Sequence, residues 1–289
     1  AKISERRRAE LLAAIEAHKA AGGVVVLVTL TNPHYMGQGL QGLLKRQQRA
    51  FDFFKSGRPA RNLRDSFGLV GYVRSLEVTY GGNGWHPHYH ELWFLRSQID
   101  IFSLQNAVFA LWESACVKAG LGRPSAKHGV TVQDGSKAAA YASKWGLESE
   151  MTKWHVKKGN QSLTPFDLLR SYFRDRYENH AALFREYAQA FHGKKQLVWS
   201  NGLKALFNLV DLDDEEIAAR ADQSAVALGQ ITADQWRLVL AVDGRSTVLD
   251  LARHGWDVVR AYLLCLSQRI DLAKLTPNGA LTESLNGTG

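Results

Sequence analysis

Residues 69–95 constrain this chain more than any other stretch. Residues 69–80 (Leu-Val-Gly-Tyr-Val-Arg-Ser-Leu-Glu-Val-Thr-Tyr) have the composition of a strand. Gly81-Gly82-Asn83-Gly84 is a strong turn signal, and Trp85-His86-Pro87-His88-Tyr89-His90 resumes an alternating pattern before the apolar run Leu92-Trp93-Phe94-Leu95. Side chains of an extended strand point to opposite faces in turn, so His86, His88 and His90 share one face. A hairpin with Tyr80 opposite Trp85 sets Thr79 against His86 and Glu77 against His88, because directly opposed residues share a face. A one-residue slip would send Glu77 to the other face. Imidazoles on one face beside a carboxylate form a half-built site for a divalent metal. The alternative is a set of surface histidines on a hairpin. The spacing does not fit a helical zinc-protease motif, and no cysteines lie near enough for a structural zinc site.

The flanking segments fit an α+β fold. Residues 4–20 read as a helix stopped by Gly22-Gly23, residues 24–31 as a buried strand, and residues 39–56 as an amphipathic helix with Leu40, Leu43, Leu44, Phe51 and Phe54 inward. A helix over 103–119, a short strand over 129–133 and a helix over 136–148 follow the hairpin. This order predicts an antiparallel sheet with helices on one side. After residue 150 the pattern is helical, with Thr164-Pro165-Phe166-Asp167 as a helix start. Helices are expected at about 180–192, 201–210, 214–222, 233–241, 247–254 and 256–269. The last pair, joined at Gly255, reads either as a helix-turn-helix or as a plain helical hairpin.

The chain has 289 residues, 45% of them hydrophobic, enough for a sizeable core. No apolar run approaches the roughly 18 residues of a membrane helix. Residues 1–10 are charged and lack a signal-peptide core, and the chain begins at Ala1, which leaves removed segments open. Cys116 and Cys265 both lie among apolar residues and read as buried free thiols of a reducing cytoplasm. The net charge of +8 favours a polyanionic partner. Basic residues gather at Arg6-Arg7-Arg8, at Lys45, Arg46, Arg49, Lys55, Arg58, Arg61 and Arg64, and at Lys153, Lys157 and Lys158. A solvated face is the plain reading of such runs, and a nucleic-acid surface the functional one.

Three blocks then carry a family resemblance. His88-Tyr89-His90 with its apolar continuation resembles the histidine motif of the HUH endonucleases. The larger block Gly84-Trp85-His86-Pro87-His88-Tyr89-His90 resembles the version found in rolling-circle plasmid replication initiators. Tyr141-Ala142-Ser143-Lys144 is similar to the helical nucleophile motif, and the strand running Val24 to Thr31-Asn32-Pro33-His34 to the Thr-rich block that precedes both. The blocks stand in family order over roughly 24–148.

The resemblance implies an HUH-type nicking and joining domain over 1–150; the helical pattern marks 151–275 as a further region that could bind DNA, and the Gly, Asn, Ser and Thr content of 276–289 marks a flexible tail. It implies a divalent ion, Mg²⁺ or Mn²⁺, on His88, His90 and Glu77, with His86 as the other option for third ligand. Tyr141 would be the nucleophile, with Lys144 supporting its charge. Tyr172, Tyr177 and Tyr187 are rivals, but none has a Lys three residues on. Some relatives place a Glu one turn before the nucleophile; here position 137 is Lys, and Glu148 is the candidate general base. Lys45, Arg46, Arg49, Lys153 and Lys157 are the expected DNA contacts. Single-stranded or hairpin origin DNA would be the substrate, in a bacterial cytoplasm, with a host helicase and polymerase as partners and no membrane. A transposase of the same chemistry and a non-catalytic nucleic-acid-binding module with structural histidines remain the alternatives.

Overall fold

A computed structural model of the chain describes residues 2–135, 162–195, 197–210, 216 and 227–270. The helix expected over 136–148, most of that expected over 214–222 and the tail from 276 lie outside the described residues.

The hairpin forms in the expected register. Strands β2 (Leu69–Gly81) and β3 (Gly84–Leu95) pair Tyr80 with Trp85, Thr79 with His86, Glu77 with His88 and Ser75 with His90. Gly82 and Asn83 make the turn, and Gly84 takes φ +83°, a left-handed value suited to glycine. A Cβ on Gly84 would stand 3.2 Å from the Tyr35 carbonyl oxygen, so the turn also admits a close neighbouring loop. The one irregularity of the pairing lies between Leu69 and Gly71, at the far end from the histidines.

Helix α1 (Lys2–Ala20) precedes strand β1 (Val24–Thr31), which pairs with β3 along its whole length. Helices α2 (Leu40–Lys55) and α3 (Gly57–Ser66) lead into the hairpin, and α4 (Ile101–Lys118) connects it to β4 (Val130–Gln133). Helices α5 (Pro165–Asp175) and α6 (Glu178–Phe191) follow, then β5 (Leu197–Trp199) and the single turn α7 (Leu203–Leu206). The five strands run β4-β1-β3-β2-β5 and are antiparallel throughout. The architecture is α+β, as the element order predicts.

One expectation needs correction: helices cover both faces of the sheet. Trp93, Tyr89, Val26, Val28 and Leu30 pack on one face with Phe51 and Phe54 of α2 and Trp112 of α4. Leu92, Phe94, Val25, Leu27 and Val73 pack on the other face with Leu11, Ala14 and Ile15 of α1. The cause is visible in β3. Its last four residues, Leu92 to Leu95, are all apolar and must be buried on both sides, whereas Trp85 to His90 alternate. Helix α1 therefore covers the Leu92–Phe94 end of its face, and the histidines continue that face toward the turn.

Two elements are additions to the expected set. Helix α3 replaces an expected loop; it is polar along most of its length, and Pro59 sits in its first turn, where a missing N–H costs little. Strand β5 has three residues, too few for a periodic signal. Conversely, the helix expected over 201–210 shrinks to α7. The capping box at Thr164 and Asp167 is present.

The chain forms two compact units, Ala1–Ile217 and Ala218–Gly289. The first runs past residue 150, because α5 and α6 pack on it. Tyr80 and Leu163 exchange backbone hydrogen bonds of 2.8 and 2.7 Å, and Glu186 of α6 accepts from the Leu40 backbone N–H and the Trp85 indole. A carboxylate at the first turn of α2 also meets the positive end of the helix dipole. Within the second unit, α8 (Ala233–Ala241), α9 (Arg245–Ala252) and α10 (Trp256–Arg269) close around Leu238, Val239, Val248, Val259, Leu263 and Leu266. Among the described residues no helix is long and apolar enough to cross a membrane. Both cysteines are free; Cys116 is buried and Cys265 half-buried.

Candidate metal centre

The hairpin register brings three side chains to one point. His88 Nε2 lies 3.3 Å and His90 Nε2 2.9 Å from the same Glu77 oxygen, Oε2. Their potential ligand atoms all fall within 4.8 Å of one another, the one such group of three among the described residues. Both imidazoles are 14% exposed and Glu77 36%, so the cluster is sheltered but reachable.

Electrostatics suit a cation. Burial alone would raise the Glu77 carboxyl, but hydrogen bonds from His88 and His90 outweigh it and hold the group well below the usual carboxylate range. Burial lowers His90, opposed by its hydrogen bond to Glu77 and reinforced by the nearby charge of His88. A carboxylate that stays ionised and an imidazole that stays neutral are the protonation states a metal requires. The separations fit as well. Ligands at right angles around an ion with bonds of about 2.1 Å stand roughly 3 Å apart. Two imidazole nitrogens depart from the all-oxygen shell that Mg²⁺ favours.

A fourth residue completes the arrangement. Thr29 Oγ1 and His90 Nδ1 are hydrogen-bonded at 2.9 Å across the β1–β3 pair. A hydroxyl both donates and accepts, so Thr29 holds the ring in either tautomer and fixes the direction of Nε2. Thr29 belongs to the Thr-rich strand of the sequence, but its period-two position opposite His90 emerges only from the β1–β3 register, which no local pattern supplies.

His86 stands apart from the converging group. It faces Thr79 and stacks on His34, with ring centroids 4.3 Å apart and planes 16° from parallel. Burial, with His88 and His34 alongside, pushes it down to about 4. Its Nε2 and the His88 Nδ1 are buried with no hydrogen-bond partner. The loop carrying His34 is pinned to the hairpin turn, where the Tyr80 hydroxyl donates to Met36 Sδ at 3.5 Å.

The other expected site residues are dispersed or undescribed. Tyr141, Lys144, Glu148, Lys153 and Lys157 lie outside the described residues. Lys45 and Arg49 are exposed and Arg46 half-buried, all on α2, which covers the sheet face opposite the histidines. Lys55 departs from the basic run entirely. Its Nζ is 2.8 Å from Glu91 Oε2, and the rings of Phe51, Phe54, Tyr72 and Trp93 enclose it at 3.9 to 5.2 Å. Burial lowers the lysine and Glu91 counteracts it.

Residues 1–247 match the model of a protein family described as "Replication protein". The chain belongs to that family. Among curated relatives of this replication protein, Protein rep of Streptomyces lividans is 26% identical over 317 residues, covering 83% of this chain and 69% of the relative. Protein rep of Lentilactobacillus hilgardii is 37% identical over 84 residues, 28% of this chain and 25% of the relative. No solved structure matches the chain. The resemblance to replication initiators carried by the three motif blocks is thus borne out at the level of the family.

Proposed function

We propose that this replication protein is a metal- and tyrosine-dependent single-strand DNA endonuclease and strand transferase that nicks an origin and starts rolling-circle replication of a plasmid in the bacterial cytoplasm. The convergence of His88, His90 and Glu77 on one face of the hairpin, in a chain of this family, supports the reading.

A divalent ion held by these three side chains would polarise the scissile phosphate and neutralise charge developing on it. Thr29 keeps His90 aimed, and the neighbouring Leu92–Phe94 segment under α1 keeps the strand rigid. Tyr141 supplies the nucleophile. A phenol of pKa about 10 is weak at neutral pH, and the charge of Lys144, three residues on, would favour its phenolate. The Tyr141 oxygen forms a bond to phosphorus and the bond to the 3′ oxygen breaks. The proton lost by the phenol is balanced by the one the 3′ oxygen gains. The products are a 5′-phosphotyrosyl link and a free 3′-hydroxyl, which a host polymerase extends while a helicase opens the duplex. The covalent link conserves the energy for later rejoining, so no nucleotide hydrolysis is needed. Glu148 is the group assigned to activate water when the reaction ends.

Incubation with labelled single-stranded or hairpin origin DNA and Mn²⁺ or Mg²⁺ tests this. A denaturation-resistant protein–DNA adduct supports it. Binding without an adduct on every origin sequence tried would favour a non-catalytic binding module, and strand exchange confined to element ends would favour a transposase.

A further inference from the structure

A second basic site lies on the sheet face away from the histidines. A cleft of about 160 Å³ opens between α2, the hairpin strands and the segment joining α6 to β5, and Arg74, Lys194 and Lys195 line it together with Gln48 and Tyr89. We infer that this cleft is a phosphate-binding site that grips the nucleic-acid backbone independently of the metal centre.

Arg74 lies at the centre of this reading because its strand position and its neighbours are both fixed. Strand alternation pairs it with Glu91, on the α2 face, whereas Glu77 and the histidines point to the other face. Its guanidinium stacks over Phe51 at 4.2 Å and Tyr89 at 4.7 Å. Gln48 Oε1 accepts from Arg74 Nη1 at 3.5 Å and from the Tyr89 hydroxyl at 3.2 Å, while the Gln48 amide donates to Asp52 at 2.8 Å. The arginine is therefore held in place by two aromatic faces and one weak hydrogen bond. A guanidinium has five N–H donors, so most of its capacity is left over. The nearby carboxylates are engaged elsewhere, Glu91 by Lys55 and Trp93, and Asp52 by Gln48. Among the described residues neither Arg74, Lys194 nor Lys195 has a carboxylate within salt-bridge distance.

Three cationic side chains line one cleft, and an anion held there would relieve their mutual repulsion. A planar fork held between two rings, beside two exposed ammonium groups, suits a phosphate: the arginine gives directional contacts and the lysines point charge. The exposed Lys45 and Arg49 lie on the same helix as the lining residue Gln48 and extend the positive surface. A backbone held here would be separated by the sheet from a strand held at the histidines, so the two contacts belong to different parts of the nucleic acid.

The phosphate could be that of a DNA backbone or of a free nucleotide or phosphate ion, and the test separates them. Binding of a hairpin oligonucleotide to the full chain is measured against salt in EDTA, where neither metal nor Tyr141 chemistry contributes. Inorganic phosphate binding is measured by calorimetry in parallel. The variants are Arg74→Gln and the doubly substituted Lys194→Gln/Lys195→Gln. The lysines are exposed, so the second variant keeps the fold even if the first loosens Phe51 and Tyr89. Each phosphate released lowers the log–log salt slope by about 0.9 for duplex DNA. A slope reduced by about one or more in the lysine variant supports the site with DNA as its ligand. An unchanged slope with phosphate binding lost supports the site with a small phosphate as its ligand. No change in either measurement overturns the proposal.

Discussion

Glu77 and His88 meet because each strand of the hairpin places one of them at matching positions, and the third member, His90, follows two residues on. That geometry makes the contribution of each side chain separable. His88→Ala or His90→Ala should abolish metal-dependent nicking while leaving DNA affinity within a few-fold, since phosphate contacts supply most of it. Thr29→Val should act more mildly. The ring of His90 keeps its place but loses the hydrogen bond that aims it, and such losses cost roughly 10–100-fold in metal affinity. A Mn²⁺ titration of nicking rate checks both, and an unaltered Mn²⁺ dependence in the Thr29 variant would show that packing alone orients His90. The Glu77–His88–His90 group was legible in the sequence because a short turn fixes a local register. The part played by Thr29 was not, because β1 and β3 are more than fifty residues apart and nothing local states their alignment. His34 was legible only as part of a block, and its stacking on His86 depends on the loop that closes over Gly84.

Elements tell a parallel story about charge. The basic run over residues 45–64 reads as one surface, yet it divides on folding. Lys45 and Arg49 stay outside on α2, Arg58, Arg61 and Arg64 stay outside on α3, and Lys55 turns inward to Glu91. Period and composition do not reveal which lysine of an amphipathic helix finds a buried carboxylate on a strand. Breaking such a pair strands a buried charge. Lys55→Met should therefore destabilise the first unit by roughly 3–5 kcal/mol, and combining it with Glu91→Leu should recover most of the loss. Urea denaturation of the single and double variants measures this; equal stability of Lys55→Met and the parent would mean that Glu91 is satisfied without it. For the outward residues, joint replacement of Lys45, Arg46 and Arg49 by Ala should flatten the salt dependence of DNA binding, and an unchanged slope would remove α2 from the interface. The face assignment of the helices was itself half legible. Alternation in the first part of β3 points to one covered face, while the uninterrupted apolar run that ends it demands two.

At the scale of the whole molecule, the sheet is a partition. Helix α1 and the histidine cluster occupy one side, α2, α4 and the basic cleft the other, and α6 ties the second side together through Glu186. Burial in the core of the first unit bears on its thiol chemistry too. Burial pushes the Cys116 thiol up to about 12, so at pH 8 it carries almost no thiolate, and the half-buried Cys265 should be the residue alkylated by iodoacetamide in the native protein. Mass spectrometry should find both cysteines modified only in denaturant; native labelling of Cys116 would mean that the core around Trp112 opens readily. A covalent tyrosine mechanism on a hairpin metal centre is tested most directly by peptide mapping of the adduct formed with origin DNA and Mn²⁺. DNA is expected on the peptide containing Tyr141, and no adduct from Tyr141→Phe, whose ring has no oxygen to attack phosphorus. DNA carried on Tyr172 or Tyr177 instead would contradict it.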